Sequence, residues 1–399
     1  MRILYLYDGA WPKGATRVRK ETRALAAAGH QVHLIARNAE AAAPRMTESW
    51  MEVWRLPRIR IAGLRYALNF PLFVNPLWLW RIRQVIRAIR PDLILVCDLP
   101  LAPCAVWFGW LKGITVHYDM GEIYPEFLRS LRQLERQGPL KRLIRSPVAA
   151  EWLERAVLKR VACTYVVSVE SRDRCIELGV APNRLVLVGN TPEELPDIDH
   201  PCPVPPEIQD LVAARKSILL FVGILIADRG VLDVIRGLPG LLGRNPETVL
   251  VVVGDGPAMP DLVKEVKALH LETSVRFVGW KQLDELKGYY GASHVGLLPF
   301  RDSPHIRLTL ANKLFDYMAA GLPVVASDLP STRRIVLDTE AGVLHEADNP
   351  QDFARVAALL LADSALRQRL GRNGRLAVEG KYSWSEDARR LNDAVERVR

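Results

Sequence analysis

Short apolar runs alternate with helix-length segments along this chain, and the rhythm occurs twice. Runs at 3–7, 31–36, 93–96, 114–118, 165–168 and 185–188 have strand composition, and 16–28 has helical periodicity closed by Gly29. Then the rhythm breaks. Residues 190–206 hold Pro192, Pro196, Pro201, Pro203, Pro205 and Pro206, which neither a helix nor a central strand tolerates. It resumes with apolar runs at 217–223, 249–253, 275–279, 294–300 and 324–326. Strands without polar alternation are covered on both faces, and strand–helix alternation makes that a parallel sheet between helical layers. The expected fold class is α/β with two doubly wound domains, at 1–190 and 207–380. A Pro-rich linker at 191–206 joins them, and a helix ends the chain at 381–399. A length of 399 residues also exceeds one typical core. Ligands of such sheets bind outside the carboxyl ends of the strands, so a cleft between the domains is the expected place for chemistry.

Composition narrows the partners. Hydrophobic residues make up 49% and charged ones 25%, a globular balance. Cys97, Cys104, Cys163, Cys175 and Cys202 form an odd, scattered set without a Cys-x-x-Cys pair, which argues against disulfide staples and fits a reducing cytoplasm. The first residues run straight into a strand with no signal-peptide layout, and no run of 18 uncharged apolar residues occurs. The expectation is a cytoplasmic protein, peripheral at the inner face of the plasma membrane. Its net charge of +9 resides in residues 1–199, with 29 Lys and Arg against 20 Asp and Glu. Between 53 and 91 lie eight arginines, no acid, and Trp54, Tyr66, Phe70, Phe73, Trp78 and Trp80. Arginine mixed with interfacial aromatics suits an anionic membrane surface. Nucleic acid is the rival partner, but no nucleic-acid motif accompanies the charge.

Chemistry concentrates at 311–328. A helix is expected from about Ala311, with Leu314, Phe315 and Met318 on one face and Gly321 as its left-handed cap. Its amino end offers unpaired N–H groups and a partial positive charge, to which Lys313 adds a full one. Asp316, one turn on, is placed to hold paired hydroxyls. An anion beside a diol reads as a nucleoside diphosphate and its ribose; the plain alternative is an ordinary βαβ unit with solvated Lys and Asp. Gly223 allows close approach of backbone to a ligand, and Arg229 near a helix start is a phosphate-binding group. Gly14, Arg17 and Arg19 open the first helix and could meet an acceptor phosphate or the diphosphate. Asp119 and Glu122 follow a strand, placed to accept from a hydroxyl, while His117 reads as a core histidine. No metal ligand set is assigned: Asp197 and Asp199 spell Asp-x-Asp, but inside the Pro-rich stretch.

The segment Lys313-Leu314-Phe315-Asp316-Tyr317-Met318-Ala319-Ala320-Gly321-Leu322-Pro323-Val324-Val325 resembles the donor-site signature of the family-four (group 1) retaining glycosyltransferases. The resemblance implies the GT-B fold of two Rossmann-like domains, with the last helix crossing back to the first. It implies transfer of a sugar from a UDP- or GDP-sugar to a hydroxyl, with retention and without metal or other cofactor. Arg229 matches the basic residue before a family glycine, although Ile224 stands where many members have an arginine. Gly254-Asp255-Gly256-Pro257 resembles the family's Gly-x-Gly-Pro turn. Val278 matches the position whose backbone meets the nucleobase. Asp316 takes the second place of the Glu-x7-Glu pair, and Leu308 the first, leaving Pro299, Phe300, Leu310, Ala311 and Asn312 around the sugar and diphosphate. The segment 116–126 resembles the family's Tyr-Asp-Ala-His-Glu stretch, with Gly121 where the family has His. A membrane-associated lipid-linked glycan or glycolipid of cell-surface polysaccharide synthesis is the acceptor this reading favours. A non-catalytic nucleotide-sugar-binding subunit and a nucleotide-sugar epimerase of similar fold are the alternatives.

Overall fold

A computed structural model describes residues 1–12, 15–38, 42–58, 75–134, 145–197 and 202–398. Gly14 and the stretch 59–74, which includes Arg60, Arg65, Tyr66, Phe70 and Phe73, lie outside the described residues. The chain divides into two compact units, one of Met1–Gly189 with Ser385–Arg399 and one of Asn190–Trp384.

Unit 1 is built on eight strands: β1 (Arg2–Ala10), β2 (Gln31–Arg37), β3 (Arg45–Thr47), β4 (Met51–Arg55), β5 (Leu93–Cys97), β6 (Thr115–Met120), β7 (Cys163–Val166) and β8 (Leu185–Leu187). Their order across the sheet is β3-β4-β2-β1-β5-β6-β7-β8. All described pairings are parallel except β3 with β4. Every residue of β5 is buried, which is what an apolar run covered on both faces requires. Strand β6 runs on to Met120, so His117 and Asp119 lie in the sheet and not in the loop beyond it. The last helix, Trp384–Glu396, returns to this unit, where Asn392 Nδ2 donates to Ala24 O at 3.5 Å.

Unit 2 carries β9 (Ser217–Val222), β10 (Thr248–Val253), β11 (Val275–Gly279), β12 (Val295–Leu298), β13 (Val324–Ser327) and β14 (Gly342–His345), ordered β11-β10-β9-β12-β13-β14 and all parallel. The Pro-rich stretch, read above as a linker, packs on this unit. Arg375 Nη1 donates to Pro196 O at 2.8 Å, and a Cβ on Gly288 would lie 2.5 Å from Pro203 O. Prolines preset an extended path without needing ladder partners, which suits a strap laid over helices.

Candidate active site

The carboxyl ends of β9, β10 and β12 are locked together by backbone contact. Gly223 sits at φ 153° and Gly254 at φ 149°, and a Cβ on Gly254 would collide with the Gly223 carbonyl. Leu225 N donates to Asp255 O at 3.0 Å, and Ala258 N to Leu225 O at 2.9 Å. Gly230, at φ 66°, lies so close to Pro299 O that any side chain would strike it, and Arg301 N donates to Asp228 O at 3.0 Å. Loop 223–230 is thereby held against loop 299–301. Arg229 consequently stacks on Phe300, with its guanidinium carbon 4.7 Å from the ring centroid. His305, buried nearby, is pushed down to about 4 by burial and by the Arg229 charge, so it stays neutral and adds no positive charge.

The helix Asn312–Ala319 begins with Ala311 as its N-cap, without a side-chain cap and without an acid in its first turn. Its N–H groups and Lys313 therefore create a positive end, with Leu310 buried behind and Asn312 exposed. Lys313 Nζ lies 3.0 Å from Asp316 Oδ2, and each side chain is 24% exposed. The two expected binding groups thus hold each other in place within reach of solvent. Tyr317, not singled out in the sequence, anchors this helix. Its hydroxyl accepts from Val222 N at 3.0 Å and donates to Leu220 O at 3.3 Å, bridging the helix to β9. Ser331 Oγ donates to Thr309 O at 2.7 Å and fixes the preceding loop. Val278 lies in β11, partly buried against the core, and Leu308 ends the short helix Pro304–Leu308. Gly223, Arg229, Pro299 and Phe300 are tied into one loop cluster, and Leu310 to Asp316 form the adjoining helix entrance.

In unit 1 the expected roles are redistributed. Asp119 is fully buried, and its carboxylate receives Arg17 Nε at 2.9 Å and Nη2 at 2.6 Å. Arg17 also donates to Val188 O at 3.1 Å and Gly189 O at 3.2 Å. Asp119 therefore anchors Arg17 instead of facing a hydroxyl, and Arg17 is committed to protein groups instead of a phosphate. Arg19 stacks over Trp11 at 5.8 Å. One guanidinium serves two buried acids, since Glu21 Oε1 is 3.0 Å from Arg17 Nη2. Burial and the Asp119 charge push Glu21 up to about 8, and its other oxygen accepts from Tyr5 at 2.6 Å. His117 bonds Tyr165 at 2.6 Å and is held neutral by burial, down to about 4.

The sequence reading missed Asp98. It follows β5 with φ 64° and ψ 160°, a region nearly reserved for glycine. Its Oδ1 has no hydrogen-bond partner among the described residues, and a Cβ on Gly121 would lie 3.3 Å from it. Burial, then the charges of Glu122 and Asp119, push it up to about 7. Glu122 itself is exposed. Its position directly after an apolar strand was the available signal. Among the described residues no three His, Cys, Asp or Glu side chains gather as a metal site.

Residues 216–363 match the family described as glycosyl transferases group 1, and residues 14–191 match the glycosyl transferase 4-like domain. The chain is 25% identical over 240 residues to the alpha-D-kanosaminyltransferase of Streptomyces kanamyceticus, covering 59% of this chain and 60% of that relative's length. Among solved structures, sucrose-phosphate synthase from Thermosynechococcus elongatus superposes with a TM-score of 0.76 at 20% identity, over 100% of this chain and 99% of that one. Anabaena HepE in complex with UDP-glucose gives 0.71 at 16% identity, over 99% of each chain. The two halves are thus matched by the two domains of a single enzyme family, and the chain belongs to the family-four, group 1 glycosyltransferases of the GT-B fold.

Proposed function

We propose that this protein transfers a sugar from a nucleoside diphosphate sugar to a hydroxyl, with retention at the anomeric carbon. The observation that carries the reading is the uncapped start of Asn312–Ala319, with Lys313 in its first turn and the Arg229–Phe300 stack in the same unit. In this reading the bond from the anomeric carbon to the diphosphate breaks as the bond to the acceptor oxygen forms. The helix N–H groups, Lys313 and Arg229 stabilise the charge arriving on the diphosphate, which takes up the acceptor proton. Asp316 exchanges part of its Lys313 contact for the ribose hydroxyls, Val278 offers backbone to the base, and Gly223 allows close approach of the diphosphate. Asp98 and Glu122 are the carboxylates we assign to sugar or acceptor hydroxyls. The HepE complex with UDP-glucose supports a nucleotide sugar, and we carry UDP- and GDP-sugars as donors. The acceptor is proposed to be a lipid-linked glycan or glycolipid, and the site of action the inner face of the plasma membrane. No helix among the described residues is long and apolar enough to cross a membrane.

A panel of UDP- and GDP-sugars, assayed for nucleoside diphosphate release with and without lipid acceptors, tests the reading. Acceptor-dependent release supports it. Nucleotide binding without release supports instead a non-catalytic binding subunit, a reading favoured by Gly121 in place of the family His. Donor conversion without acceptor supports an epimerase.

A further inference from the structure

Fifteen large apolar side chains are exposed among the described residues, and five of them lie on two helices that share one groove. Trp107, Trp110 and Leu111 stand on the helix Ala102–Lys112, and Val148 and Trp152 on the helix Pro147–Leu158. Trp110 is 79% exposed and Trp152 71%. The two helices border a groove of about 900 Å³, with Ile114 and Val116 also in its lining. Gly109 forms part of the wall, and a Cβ there would strike the Val116 side chain of β6, so the helix lies tight on the sheet. A water-facing cluster of this kind marks an interaction surface.

We propose that this groove docks the protein on an anionic phospholipid bilayer, a surface that rests on and deepens the reading of a membrane-borne acceptor. Three features select that occupant. Tryptophan has an apolar body and a polar N–H, the combination enriched where hydrocarbon meets headgroup. The lining holds one ionisable group, Arg160, which spends a single N–H on Ala156 O at 2.9 Å. Exposed Lys112 and Lys159 end the same two helical segments, while the acids are neutralised: Glu151 by Arg129 at 2.8 Å and Arg155 at 2.9 Å, Glu154 by Arg174 at 2.6 Å. Among the described residues no acid pairs with Lys112, Lys159 or Arg160, so the patch is apolar with net positive charge, complementary to lipid phosphates. A second copy of the chain is disfavoured because face-to-face contact would bring these cations together. The described part of 53–91 is less suited than its composition implied. Trp54 and Trp78 are core, and Arg81 donates to Arg55 O at 2.9 Å, leaving Trp80 as its exposed aromatic among the described residues.

The test is sedimentation with equimolar phosphatidylglycerol–phosphatidylcholine vesicles and with pure phosphatidylcholine vesicles. The full chain should bind the anionic vesicles preferentially. Trp110→Ser with Trp152→Ser, both solvent-facing changes, should weaken that binding about tenfold or more, from the lost apolar burial. Lys112→Glu with Arg160→Glu should do the same through charge, each variant's fold being verified by circular dichroism. Binding undiminished in both variants, absence of vesicle binding by the wild type, or a wild-type dimer abolished by the Trp changes overturns the proposal. UDP or GDP titration of the wild type reports separately on the donor site: its failure defeats the donor reading and leaves the vesicle result standing.

Discussion

Asp98 holds a backbone conformation that costs about 1–3 kcal/mol for a residue other than glycine, and it does so beside Glu122 and Asp119. A carboxyl pushed up to about 7 is half ionised near neutrality, so its strength as a hydrogen-bond acceptor for a sugar or acceptor hydroxyl changes across that range. If the carboxylate is the working form, kcat/KM rises as pH rises through about 7. Asp98→Asn should lower kcat about 100-fold and flatten that limb, which a pH–rate profile reads. An unchanged limb in the variant would assign it to another group. Lys313→Ala should cost donor affinity at least tenfold, about 1.5 kcal/mol or more for a lost charged hydrogen bond, with almost no loss of thermal stability. The second half follows because the Lys313–Asp316 pair is open to solvent and one turn apart. Glu21 makes a stability prediction. The fold keeps it protonated to about pH 8, whereas the unfolded chain ionises it in the ordinary carboxylate range. Its contribution is therefore full at low pH and lost as pH rises towards 8. Glu21→Gln keeps the Tyr5 bond and removes the ionisation, so the Tm difference between variant and wild type should grow more positive from about pH 5 to 8. A difference that stays constant with pH contradicts this assignment.

At the scale of elements, the helix Asn312–Ala319 is positioned by Tyr317, and loops 223–230 and 299–301 by glycines that permit backbone contact. Tyr317→Phe removes the acceptor for Val222 N and leaves that buried N–H unpaired, which should cost about 1–3 kcal/mol in denaturant unfolding. Because the same bond holds the helix on β9, donor affinity should fall with it; unchanged affinity would show that the helix needs no such anchor. These elements differ in how readily a sequence reveals them. The apolar runs at 93–96, 249–253 and 324–326 became strands because no polar alternation competes with burial on both faces. The run at 114–118 extended to Met120 because Arg17, 102 residues away, satisfies Asp119 inside the sheet. No local pattern contains that partner. The helix after Ala311 was legible from its apolar face and Gly321, which adopts φ 68°, but its Tyr317 bond to another strand was not.

Over the whole molecule, the alternation of strands and helices and its interruption at 190–206 were enough to indicate two parallel-sheet units. Where the interruption packs was not legible, because proline composition specifies an extended path and not its neighbour. The site divided in the same way. The local geometry of Gly223, at a strand's carboxyl end, and of Lys313, in the first turn of a helix, could be read from spacing. The acids of unit 1 could not, since burial and a shared arginine decide which of Asp98, Asp119 and Glu122 remains available. The account rests on unit 2 gathering a diphosphate. Crystals soaked with UDP or GDP give the most direct test: density should put the diphosphate within hydrogen-bond distance of Lys313 Nζ and the N–H groups that open Asn312–Ala319, with Arg229 in contact. Nucleotide density that touches neither Lys313 nor Arg229 would contradict it.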